Sequence, residues 1–166
     1  MTRTLLAGCS LAVAVTALAA CGSSRNPASD PTIQKDAALY QIDQIEQTWH
    51  KAASEHNVDL MMSLWAPGAV FNIGTKTLSG KAQIRHFFAT ENKAFMPQNQ
   101  WESDTPSYKI KTTVHGDKGT LYFECHYVDV RTGKVVSVVG VDHDVQKING
   151  KWLIVDSAGA TPVLHP

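Results

Sequence analysis

Residues 57–89, NVDLMMSLWAPGAVFNIGTKTLSGKAQIRHFFA, constrain the fold more than any other stretch, because helix, breaker and strand signals alternate within them. Asn57 can cap a helix by accepting backbone N–H bonds, and Leu60, Met61, Leu64 and Trp65 then recur at helical spacing until Pro67-Gly68 stops the run. Residues 70–73 read as a short apolar strand, and after the turn at Gly74 to Lys76 the chain returns through Thr77 and Leu78. Ser79 or Gly80 caps a further helix whose apolar face is Ile84, Phe87 and Phe88, fading over residues 92–95. This order of elements is a fold signal and contains no catalytic motif.

On either side the pattern is simpler. Leu39, Ile42, Ile45, Trp49, Ala52 and Ala53 follow a helical period, which predicts a long first helix over residues 33–56. Residues 96–106 read as a loop or irregular strand. Strands then follow, separated by turn signals at Gly116-Asp117-Lys118-Gly119, Thr132-Gly133 and Asn149-Gly150, the last a type I′ hairpin signal leading into a strand over residues 151–157.

Alternation divides these strands into two faces. Leu121, Phe123, Cys125 and Tyr127 lie opposite Tyr122, Glu124, His126 and Val128. If Thr132-Gly133 and Asn149-Gly150 are both two-residue loops, the first set shares its face with Val138, Gly140, Asp142, Asp144, Leu153 and Val155. The other face then gathers Val139, Val141, His143, Val145, Trp152 and Ile154. A slip of one residue in either loop reverses the assignment. Both faces carry enough apolar area to need cover. Helices can cover one, and a homodimer through the outer sheet face is the expectation for the other.

The N-terminus points to export. Arg3 precedes an apolar run from Leu5 to Ala20, too short for a comfortable membrane span, and Leu18-Ala19-Ala20-Cys21 resembles a bacterial lipobox. Residues 1–20 are thus expected to be a lipoprotein signal peptide and Cys21 a lipidated membrane anchor, the alternative being an ordinary leader cut near Ala20 that leaves a free thiol. Residues 21–32 have the Ser/Pro/Gly character of a flexible tether, residues 33–160 form one domain, and residues 161–166 a C-terminal tail. The expected location is the extracytoplasmic side of the bacterial cell envelope. Charge balances at 15 basic and 15 acidic residues, so no basic face for nucleic acid is indicated. Removing Cys9 with the leader and acylating Cys21 leaves Cys125 without a disulfide partner, and it reads as structural. No phosphate-binding glycine loop is present and no cofactor is implied.

Together, the long helix, LWAPGAVF, the GKAQIRHFF helix and the strands ending in NGKWLIVD resemble the NTF2-like superfamily, in particular its SnoaL-like members, over residues 39–157. The resemblance implies an α+β cone, with helices packed on a strongly curved antiparallel sheet that encloses a pocket, often dimeric. Against the ketosteroid isomerases of that superfamily, Trp49 falls where a tyrosine donor is kept, Asp144 where a protonated oxyanion-hole aspartate stands, and Ile73 where the general base belongs. Isoleucine cannot take a proton, so steroid isomerase chemistry is not expected.

The candidate site residues follow from these faces. Trp49, Trp65, Phe87, Phe123 and Tyr127 supply the apolar lining usual for a small-molecule site, and Asp142 and Asp144 could act on the same face as an acid/base pair. Glu124, His126 and His143 invite a metal reading, but strand positions without tight ligand spacing carry little weight. The expected function is binding of a small apolar ligand or an envelope partner without turnover. The alternative is a SnoaL-like dehydratase, isomerase or hydrolase using Asp144 or Asp142. A third reading docks the outer sheet face, through Trp152 and Val141, onto another envelope protein.

Overall fold

The computed structural model describes residues 30–96, 101–103 and 109–164. Asp30 accepts a hydrogen bond from the Thr32 N–H at 2.8 Å and starts α1 (Pro31–Ser54), whose proline occupies the first turn where its missing N–H is harmless. Ile42, Ile45, Trp49, Ala52 and Ala53 form its buried stripe, as the period predicts. Asn57 caps α2 (Val58–Met62) by accepting from Leu60 N–H at 2.9 Å. At α3 (Lys81–Thr90) Gly80 holds the cap position at φ 79°, and Gln83 reaches back to accept from the Ser79 N–H. A 3₁₀ turn, Lys93–Phe95, follows.

The strands are β1 (Trp65–Ile73), β2 (Lys76–Ser79), β3 (Trp101–Ser103), β4 (Ile110–His115), β5 (Lys118–Asp129), β6 (Val135–Ile148) and β7 (Lys151–Leu164). They form one curved, unclosed sheet in the order β2-β1-β7-β6-β5-β3, with β4 also paired to β5. All neighbours are antiparallel except β1 and β7. The three α-helices cover the concave side, and the architecture is the expected α+β type.

Several elements differ from the sequence expectation. Pro67-Gly68 does not end a helix: α2 stops at Met62 and both residues lie within β1. The missing proline N–H is accommodated by an irregularity, since pairing with β7 shifts between Trp65 and Val70. β7 does not end at Ser157 but runs to Leu164, taking in most of the expected tail. It pairs with β6 up to Val138↔Leu164, and Pro162 lies beyond the last β1 pairing, so its lack of an N–H breaks no ladder there.

The consequential difference is in register. Asn149 and Gly150 both have positive φ and make the tight hairpin as expected. Thr132-Gly133 does not make one. Residues 130–134 all lie outside the strands, closed by the Asp129 carboxylate accepting from the N–H groups of Arg131 and Thr132, and a bulge follows between Tyr127 and Val128. Leu121, Phe123 and Cys125 therefore stand opposite His143, Val141 and Val139. The expected faces of β6 and β7 are exchanged. Val141 and Trp152 are core rather than docking surface, while Asp142 and Asp144 are exposed on the outer side.

Gly159 marks the tightest backbone approach. It has φ 80°, and a Cβ there would stand 1.9 Å from the Asn72 carbonyl oxygen, at the β1–β7 side of the sheet. Gly159→Ala is expected to destabilise the domain by several kcal/mol, combining left-handed strain with a backbone clash. Gly74→Ala, at φ 56° with open space around it, is expected to lose only about 1 kcal/mol. Urea denaturation of the two variants side by side measures the difference.

Candidate functional site

Helix α1 lays Trp49 across the concave face, where its ring lies 6.0 Å from Trp65, 5.7 Å from Phe88, 5.8 Å from Phe123 and 5.0 Å from His143, centroid to centroid. Trp49, Trp65 and Phe123 are thus brought together from α1, β1 and β5. Phe87 is one ring further out, edge-on to Phe71 at 5.8 Å and to Phe88 at 5.5 Å. Tyr127 is half-buried on the same face of β5 as Phe123. Asp142 and Asp144 do not join them. Asp142 stands opposite Tyr122 on the outer face, and Asp144 borders an open groove with His115, Lys118 and Gln146. Neither can meet a ligand on the concave side, which corrects their expected role there.

His143 takes the place expected for the aspartates. It is 2% exposed, its imidazole packed against Trp49, Trp65 and Phe123, and neither ring nitrogen has a hydrogen-bond partner among the described residues. Burial alone pulls its pKa down to about 3, so it is a neutral imidazole with one donor and one acceptor unspent. The Trp65 indole N–H is buried beside it and also unpartnered. Leaving buried polar groups unmatched costs about 1–3 kcal/mol each, which makes these atoms candidates for contact with something else. The sequence did carry a signal for His143: it sits between Val141 and Val145 on the inward phase of β6.

A second buried polar group spans α1 and β5. His50 Nε2 lies 3.3 Å from Cys125 Sγ, and Nδ1 lies 2.9 Å from Glu46 Oε1. All three residues are 3% exposed or less. The Tyr127 and Trp49 side chains lie close to the same sulfur. Burial, reinforced by the Glu46 charge, pushes the Cys125 thiol far above its ordinary range, so the resting sulfur is un-ionised. The burial expected of Cys125 is found. Its histidine neighbour could not be read from sequence, because 75 residues separate the two.

Glu124 and His126 form a separate cluster on the outer face. The Glu124 carboxylate accepts from Lys109 Nζ at 3.0 Å and from Tyr122 OH at 3.1 Å, with His126 Nε2 at 3.4 Å. Burial raises its pKa, but these three partners outweigh that and hold it below the ordinary value. His143 is across the sheet, so Glu124, His126 and His143 do not assemble as a ligand set.

The His143 environment makes stability depend on pH. Unfolded histidine titrates near pH 6.5, so between that value and about 3 the unfolded chain binds a proton that the folded chain refuses. Stability is therefore lost as pH falls below about 6.5, with a slope from this group approaching ~1.4 kcal/mol per pH unit. Urea midpoints at pH 7.5, 5.5 and 4.5 are expected to fall less steeply in His143→Leu than in the natural chain, and the variant is expected to be as stable at pH 7.5.

The family model described as a SnoaL-like domain matches residues 46–154. No curated protein matches the chain in sequence. Among solved structures, an NTF2-like protein of unknown function from Pseudomonas putida is 14% identical over 79% of this chain and 98% of its own, with a TM-score of 0.62. A protein of unknown function with a cystatin-like fold from Nostoc punctiforme is 17% identical, with 75% and 92% covered and a TM-score of 0.63. A proposed dehydratase of the NTF2-like family from Streptomyces avermitilis is 17% identical, with 78% and 98% covered and a TM-score of 0.60. At these identities the structures speak for the fold alone, whereas the family model spans more than half of the sequence: the chain belongs to the SnoaL-like family and carries its NTF2-like fold.

Proposed function

We propose that this SnoaL-like domain binds a small, mostly apolar ligand carrying one polar group, without turning it over, while held on the extracytoplasmic side of a bacterial envelope membrane by lipid on Cys21. The observation that carries the binding reading is His143, a neutral donor and acceptor buried among Trp49, Trp65 and Phe123 with no partner of its own among the described residues. A ligand carbonyl or hydroxyl would pair with His143 or the Trp65 N–H while its apolar body meets the aromatic rings. The absence of turnover is supported by the position of Asp142 and Asp144, the acid/base candidates, on the outer face.

Export and anchoring rest on residues 1–21, which lie outside the described structure. The supporting features are the apolar run and Leu18-Ala19-Ala20-Cys21. Among the described residues no helix is long and apolar enough to cross a membrane. Self-association through the outer sheet face belongs to the same proposal, favoured by Val135, which is 50% exposed at the start of β6 opposite Val128.

Expression of the full chain in a bacterial host tests both halves. The natural chain is expected in the membrane fraction and Cys21→Ser in the soluble periplasmic or external fraction; equal partitioning would overturn the anchor. Native mass spectra of the detergent-extracted protein, before and after denaturation, are expected to show a dimer and to release a discrete small molecule. Trp65→Phe and His143→Leu are expected to retain at least tenfold less of that molecule, and an empty monomer would defeat both the pocket and the outer-face association.

A further inference from the structure

Cys125 is surrounded by more hydrogen-bonding groups than a packing thiol needs. A neutral thiol donates one weak hydrogen bond and accepts poorly, and buried cysteines that only fill space are content among apolar neighbours. Here the sulfur meets His50 Nε2 at 3.3 Å, and His50 in turn has Glu46 Oε1 2.9 Å from its other nitrogen, with the Tyr127 and Trp49 side chains close by. Phe123 stands at 90° to the His50 ring with centroids 5.3 Å apart, fixing the imidazole edge toward the sulfur. This is a nucleophile, a base and a carboxylate in sequence.

We propose that Glu46, His50 and Cys125 form a thiol-addition site that captures a small, neutral α,β-unsaturated carbonyl compound entering the concave face. Cys125 Sγ forms a bond to the β-carbon as His50 Nε2 takes the thiol proton, and the carbon–carbon π pair moves onto the carbonyl as an enolate. The imidazolium, stabilised by the Glu46 carboxylate, returns the proton to the α-carbon. The sum is addition of S–H across C=C, with no leaving group, oxidant or second reactant. A neutral resting thiol suits this route, because the base acts during attack rather than beforehand. The electrophile is expected to be uncharged, since Cys125 and His50 are fully buried beside the apolar rings of Phe123 and Trp49. The site is independent of the His143 ligand reading, which can fail without affecting it.

N-Ethylmaleimide is the probe, applied to the full chain with adducts located by peptide mass so that Cys125 is read apart from any thiol left in residues 1–21. In native buffer Cys125 is expected to take one adduct, and His50→Gln and Glu46→Gln to slow that addition at least tenfold. In 8 M urea all three proteins are expected to react at the same rate. The titratable groups around the sulfur, among the described residues, are His50, Glu46 and Tyr127. Where His50→Gln does not fold, Glu46→Gln and the comparison of native with urea-unfolded wild type decide the matter. A native Cys125 that stays unmodified while urea exposes it at once, or variants that react as fast as the natural chain, would overturn the proposal.

Discussion

The residue count between β5 and β6 decides what this protein holds inside. The Asp129 carboxylate gathers the N–H groups of Arg131 and Thr132, and the bulge beyond Tyr127 sets which residue of β6 meets which residue of β5. Strand side chains alternate, so this local choice turns His143 toward the helices and sends Asp142 and Asp144 to the opposite side. Every chemical property of the concave face follows from it. With the pairing moved by one position, two carboxylates would lie against Trp49 and the imidazole would be outside.

Trp49 is the place where helix and sheet depend on each other. Its ring meets residues from β1, α3, β5 and β6. Glu46 and His50 flank it on the same helix, so the interaction that seats α1 on the sheet also brings the imidazole to the thiol. Packing and polar chemistry therefore share one set of contacts, and neither can be altered alone.

Legibility in the sequence tracked the range of the interactions involved. Caps, the α1 stripe and the Asn149-Gly150 turn were readable because each is determined within a few residues. Trp49, Trp65 and Phe123 are legible as interior residues because large aromatics are rarely left in water, and all three are buried. The β5–β6 connection was misread because Thr132-Gly133 looks like a tight turn and the competing signal is a single aspartate side chain. That error moved the aspartates inward and His143 outward, although the Val141-His143-Val145 alternation pointed the other way. Pro67 misled for a related reason: proline stops helices, but it also sits in strands where pairing is interrupted, and only the β7 partner distinguishes the two. The pairing of His50 with Cys125 had no local signal at all.

The position of β7 has a kinetic consequence. β1 and β2 join the rest of the sheet only through β7, which lies between β1 and β6 although it is the last strand in the chain. During synthesis, residues 65–79 can form their hairpin but have no edge to add to until residues 151–164 exist. The aromatic interior around Trp65 and Phe71 therefore closes late, by a contact across most of the domain, and folding should be slower than the helical content suggests. A chain that cannot complete its sheet while it is being made stays open to chaperones until its final strand arrives.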